Sequence, residues 1–201
     1  MLELIQKGGI VMYPILLLSV IALAVFLERL FTLYRDIYAP KVFVVELIGL
    51  LKNKKNDEAI ELCKNSKSSI GKISLKILTN TDLPLARLLE VIEETGRHEA
   101  SKLDRFLPTL QTIVAIAPLL GLLGTVLGMI KIFDVLALQE FANAAALSSG
   151  IAEALITTAA GLVVAIPTQI FYYIVKGRAE KINSNLEKVS SEIVNLLFKE
   201  H

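Results

Sequence analysis

Pro118-Leu-Leu-Gly-Leu-Leu-Gly-Thr-Val-Leu-Gly128 lies inside an apolar run, Ile113 to Ile130, that carries no charge. Ala117, Gly121, Thr125 and Gly128 recur at intervals of four, four and three, so they share one helical stripe. Gly124 adds a Gly-x-x-x-Gly pair with Gly128. That spacing lets a second helix approach backbone to backbone inside a membrane. The stripe holds one hydroxyl, Thr125.

The rest of the composition points the same way. The chain has 201 residues, of which 54% are hydrophobic, and a mean hydropathy of +0.60. Roughly 45–50% apolar is usual for a soluble domain. Charged residues still make up 20% and are clustered, which predicts an all-α integral membrane protein with three transmembrane helices and long cytoplasmic helical extensions. The net charge is +1, and Lys and Arg are interleaved with Asp and Glu, so nothing suggests nucleic-acid binding. Cys63 is the only cysteine, which excludes an intrachain disulfide and a cysteine zinc site and reads as a buried thiol in a reducing compartment. His201 is isolated, and His98 sits one helical turn after Glu94 as a surface pair. No metal or cofactor is expected.

Taken in order, residues 1–9 form an outer N-terminus and 10–27 a first span. That run is long, its head carries Glu3 as well as Lys7, and no small-x-small cleavage site follows, so it reads as a retained helix rather than a signal peptide. Pro14 near its start is tolerated, and its polar content of Tyr13 and Ser19 makes it the lipid-facing helix. Residues 28–112 form a polar helical region. Within it Val42–Leu51 is a short apolar helix, and Asn56 is read as an N-cap with Asp57 and Glu58 in the first turn. Ser68-Ser69 starts a helix with Ile70, Ile73, Ile77 and Leu78 on one face, and Pro84 opens the next. That helix is expected to run without a loop into the second span, 113–133, bent by Pro108 and Pro118. A connection, 134–150, leads to the third span, 151–175, with Pro167 inside it. Tyr172 and Tyr173 lie at its far end, where aromatic side chains favour the membrane interface. In the tail, 176–201, Ile182, Leu186, Val189, Ile193 and Leu196 form a short heptad seam that fits packing on the chain's own helices or on other copies equally well.

Of the 21 Lys and Arg residues, only Lys7 and Lys131 fall on the N-terminal side, so the positive-inside rule predicts an outer N-terminus and a cytoplasmic tail. Spans two and three run antiparallel. Thr125 and Thr158 are expected at nearly the same depth, Thr158 on a second small-residue stripe of Ala154, Thr158, Gly161 and Ala165. A membrane threonine can instead bond a carbonyl one turn back in its own helix. Glu153, about one turn below the outer surface, should face protein or water, because an unpaired ionisable group within a span costs several kcal/mol. No carboxylate, His or Lys sits at mid-membrane, so a proton relay here needs a titrating group from another chain. There is no Ser/His/Asp grouping, no metal-ligand spacing and no phosphate loop, so no enzyme activity is expected.

Pro118–Ile130, together with Gly150-Ile-Ala-Glu-Ala-Leu-Ile-Thr-Thr-Ala-Ala-Gly-Leu-Val-Val-Ala-Ile-Pro167, resembles the two signature spans of the MotA/TolQ/ExbB proton-channel family, closest to its ExbB/TolQ branch. The three-span layout, the large cytoplasmic loop and Glu58-Ala-Ile-Glu-Leu-Cys63 extend the likeness along the chain. The resemblance implies a pentamer in the bacterial inner membrane. Its pore holds the helices of an ExbD/TolR-like dimer, whose Asp takes and releases the proton for a TonB/TolA-like protein. It also implies that Thr125 and Thr158 are the pore threonines beside that Asp and that Glu153 is the glutamate near the outer mouth. Some members have Ala at the position of Thr157, so nothing is carried onto it. MotA-type members of the family have a fourth span and a charged cytoplasmic rotor-contact surface, and the three spans read here argue against flagellar torque. A self-contained ion channel would need pore-lining charge, and only Glu153 offers any. A non-transporting scaffold would not require the matched hydroxyls.

Overall fold

The computed structural model describes residues 8–34, 38–138 and 144–198, and every element in them is a helix. These are α1 (Met12–Tyr34), α2 (Lys41–Lys52), α3 (Asn56–Asn65), α4 (Ser69–Leu78), α5 (Leu85–Leu103), α6 (Leu107–Leu138) and α7 (Ala144–Phe198). Three of them, α1, α6 and α7, are long and apolar enough to cross a membrane. The chain forms two compact units. Met1–Arg29 with Phe106–Ile174 is the membrane unit, and Leu30–Arg105 with Val175–His201 is the polar unit.

In the membrane unit, α1 exposes Tyr13, Leu17, Val20, Leu23 and Leu27 while burying Ile15 and Ala22. An apolar exposed face of this kind suits lipid rather than water. Phe26 stacks on Phe171 with ring centroids 4.0 Å apart. Near the end of the unit Arg29 is buried, paired with Glu28 at 2.6 Å, its guanidinium 5.3 Å from the Phe106 ring centroid. Ion pairing and the ring face together offset the cost of burying that charge.

The expected continuous run from α5 into the second span is interrupted. Helix α5 ends at Leu103, the Asp104 amide bonds Ala100 O, and Phe106 takes φ +66° before α6 begins. A left-handed φ on a bulky residue breaks helical hydrogen bonding. Both Pro118 and Pro167 lie inside helices that continue through them.

The polar unit is built on large aliphatic side chains. Leu47, Ile70, Ile77, Leu88 and Ile193 are fully buried. Ser68 caps α4, its hydroxyl accepting from the Gly71 amide at 3.1 Å. Asn56 is the first residue of α3 rather than its cap, with Lys55 before it and a Lys55–Glu58 ion pair of 2.8 Å across the first turn. In the tail Leu186, Val189 and Ile193 are buried against the chain's own unit, so the heptad seam packs within the subunit. Cys63 is buried on α3, and burial pushes its thiol up to about 11.

Candidate site at the seam of the second and third spans

Helices α6 and α7 meet along their small residues. On α6 the covered positions are Ala117, Gly121, Gly124 and Gly128, and on α7 they are Gly150, Ala154, Thr157, Gly161 and Ala165. The approach is backbone to backbone. A Cβ on Gly161 would stand 2.5 Å from Ala117 O, and one on Gly121 would stand 3.0 Å from both Thr157 O and the Thr158 Cα. A Cβ on Gly128 would meet the Ala154 Cβ at 3.1 Å. Lipid supplies no hydrophobic drive between helices, so close van der Waals contact along such a seam is what holds them.

Thr158 donates its hydroxyl across the seam to Gly121 O at 3.2 Å. Thr125 donates to Leu122 O in its own helix at 2.6 Å. The antiparallel register sets Gly161 beside Ala117 and Gly128 beside Ala154, which puts Thr158 level with Gly121. Thr158 therefore lies about one turn, roughly 6 Å, further from the connection between the two spans than Thr125, rather than level with it.

The side chain that fills the seam is Thr157. It is fully buried, and a Cβ on Gly124 would come within 2.2 Å of its Oγ1. Its hydroxyl is satisfied within α7 by Ala154 O at 2.9 Å and Glu153 O at 3.1 Å. Sequence reasoning assigns Thr157 no role. The alternation Ala154, Thr157, Gly161 is as good a stripe as Ala154, Thr158, Gly161, and only the complementary notch at Gly124 decides between them.

Glu153 pairs with Lys131, Oε1 to Nζ 2.5 Å. In the sequence Lys131 reads only as one of two outer cations. Thr125 and Lys131 stand three residues before and after Gly128, which places them on opposite flanks of α6. Glu153 and Thr158 likewise fall on opposite sides of Thr157 on α7. The seam therefore separates a hydroxyl flank, Thr125 and Thr158, from an ionic flank, Lys131 and Glu153. The hydroxyl flank can offer and accept hydrogen bonds but cannot itself hold an exchangeable charge near neutral pH.

A model of the MotA/TolQ/ExbB proton channel family matches residues 65–188. The chain is 34% identical over 183 residues to the ExbB-like 3 biopolymer transport protein of Synechocystis sp., covering 83% of this chain and 80% of the relative. It is 39% identical over 101 residues to the Tol-Pal system protein TolQ of Pseudomonas aeruginosa (50% of this chain, 44% of that protein). It is 40% identical over 87 residues to the biopolymer transport protein ExbB of Salmonella typhimurium (43% and 36%). With three membrane-length helices and the glycine seam between the last two, these matches place the chain in the MotA/TolQ/ExbB proton channel family, on its ExbB/TolQ branch.

Proposed function

We propose that this chain is the proton-channel subunit of an inner-membrane energy-transducing complex. Copies of it, five by family likeness, surround an ExbD/TolR-like dimer of single-span helices. Proton transfer on and off that dimer's Asp drives a TonB/TolA-like protein for outer-membrane transport or integrity. The N-terminus lies on the periplasmic side and the tail in the cytoplasm. Thr125 and Thr158 form the wall that faces the titrating Asp, and Glu153 acts near the outer mouth.

The observation that carries this reading is the seam with its hydroxyl flank. From Leu107 to Ile130 and from Ala154 to Val175 no residue is ionisable apart from Tyr172 and Tyr173 at the far end. The Thr158 hydroxyl nevertheless reaches between helices. A wall of this kind can order a proton path but needs a partner to carry the proton. The names of the relatives, biopolymer transport protein and Tol-Pal system protein, are consistent with either of two coupled systems.

Reconstitution of the chain alone, and with its single-span partner, tests the reading under an imposed membrane potential. Proton flux is expected only with the partner. Large flux from the chain alone would instead make it a self-contained channel. Thr158→Val keeps the side-chain shape and removes the bond to Gly121 O. It should cost about 0.6 kcal/mol of helix association yet lower coupled flux about a hundredfold. Unchanged flux would remove Thr158 from the path.

A further inference from the structure

The ionic flank ends on a third element. Gly9 has φ +67°, and a Cβ built on it would stand 2.0 Å from Glu153 Oε1. The Gly9 carbonyl also accepts from the Met12 amide at 3.3 Å as α1 begins. Beside it Gly8 is buried, and a Cβ there would meet the Met12 side chain at 2.4 Å and Ile156 Cγ2 at 3.3 Å. One carboxylate thus touches the start of α1 on one side and the Lys131 ammonium of α6 on the other, while belonging to α7.

Two facts set this pair apart from an ordinary surface ion pair, which contributes about 0–1 kcal/mol. The Glu153 side chain is only 20% exposed, against 59% for Lys131, so the carboxylate is mostly covered by protein. Both residues also lie within the apolar helices that can cross a membrane, where a charge left without a partner is costly. The position of Gly9 is doubly restricted, because its φ disfavours any side chain and the carboxylate occupies the space one would need.

We propose that Gly9, Lys131 and Glu153 form an outer latch that fixes the ends of all three spans to one another. Lys131 is then a positioning residue. It holds Glu153 against the Gly8–Gly9 turn, and so keeps the seam closed on the ionic flank and the hydroxyl flank presented to the partner helix. Glu153 acts through this contact rather than by carrying a proton. The latch follows from the geometry of the chain alone. Its effect on transport rests on the channel reading above, and the two are measured separately.

The test is a cycle of variants of the full chain in lipid nanodiscs, read by amide hydrogen exchange over residues 9–13, with coupled proton flux measured in parallel on liposomes containing the single-span partner. Lys131→Met should speed that exchange about fivefold, and Lys131→Arg should leave it within about twofold. Added to Glu153→Gln, the same Met substitution should change it by less than about twofold, because its partner is already gone. Coupled flux should follow the same pattern. Exchange that is unchanged in Lys131→Met overturns the latch. An equal effect in both backgrounds overturns the pairing with Glu153, and faster exchange with unaltered flux overturns the positioning role. If the parent complex carries no flux, the channel reading fails, and the exchange measurements still decide the latch.

Discussion

Glycine does opposite work in the two units. In the membrane unit Gly121, Gly128 and Gly161 face backbone atoms of the opposing helix closely enough that a methyl group would collide or crowd. In the polar unit Gly49, Gly96 and Gly177 would meet nothing within 4 Å, although Gly71 is an exception, tight against Ser66 Oγ at 2.7 Å. The difference follows from the solvent. In water, helices are held by burying Leu and Ile, and a glycine contributes little to that. Between spans in lipid, an apolar side chain gains nothing by leaving its surroundings, so affinity has to come from close approach. The same residue type therefore marks close helix approach in one unit and, at Gly49, Gly96 and Gly177, open space in the other.

The sharpest way to break this comparison is at Gly161. Its Cβ would sit 2.5 Å from Ala117 O, a backbone atom that cannot rotate away. Gly161→Leu should force α6 and α7 apart at a cost of about 3 kcal/mol or more, seen as loss of folded protein in a detergent unfolding titration. Gly124→Ala should cost less, because the atoms it meets belong to the Thr157 side chain. Equal tolerance at Gly161 and Gly124 would mean that the seam is not held by backbone approach.

Much of this is legible in the amino-acid sequence, and for identifiable reasons. The three apolar runs and the α4 face of Ile70, Ile73, Ile77 and Leu78 follow from periodicity alone. Spacing alone also picks out Ala117, Gly121, Gly124, Gly128, Ala154, Gly161 and Ala165 as the small-residue stripes. Three things are not legible. The break at Phe106 is flanked by Asp104 and Pro108, but neither marks Phe106 itself, since a left-handed φ on Phe is set by its surroundings. The choice of Thr157 over Thr158 for the seam depends on a notch in another helix. The pairing of Lys131 with Glu153 spans 22 residues, and charge counting treats the lysine as a topology signal. Each is a tertiary contact that spacing within one helix cannot encode.

The two units also differ in how they hold a carboxylate, which gives a smaller effect to measure. Glu99 on α5 is only 3% exposed. It accepts from Ser69 Oγ at 2.7 Å and from Lys102, with Lys72 at 3.7 Å. Burial alone would raise its pKa, but the Lys102 and Ser69 hydrogen bonds and the charges of Lys102 and Lys72 outweigh it and hold the carboxyl below its ordinary range. A carboxyl lowered in the folded state releases its proton more readily there than in the unfolded chain. Its stabilisation is therefore complete above the unfolded-state pKa and is lost as the pH falls through the folded one. Glu99→Gln should cost about 1–3 kcal/mol near neutral pH, with the gap to the parent closing as the solution is acidified through the carboxylate range. Melting curves of both full-length proteins across that range provide the check, and a gap independent of pH would assign the loss to packing rather than charge.

The smallest effect carries the comparison to its other end. Gly96 lies in the middle of α5, on the wall of a groove of about 540 Å³ between that helix and the α7 tail that Leu89, Ile92 and Leu186 also line. A methyl group there meets nothing, and the position is helical, so none of the strain expected at Gly9 or Gly161 applies. What remains is the entropy that glycine loses on entering a helix. Gly96→Ala should therefore stabilise the polar unit by about 0.5–1 kcal/mol, read as a higher melting temperature for the full chain. A destabilisation of similar size would show that something occupies the groove in the assembled protein and needs the space that glycine leaves. In that case the open glycines of the polar unit would be contact positions like those of the seam, with their partner on another chain.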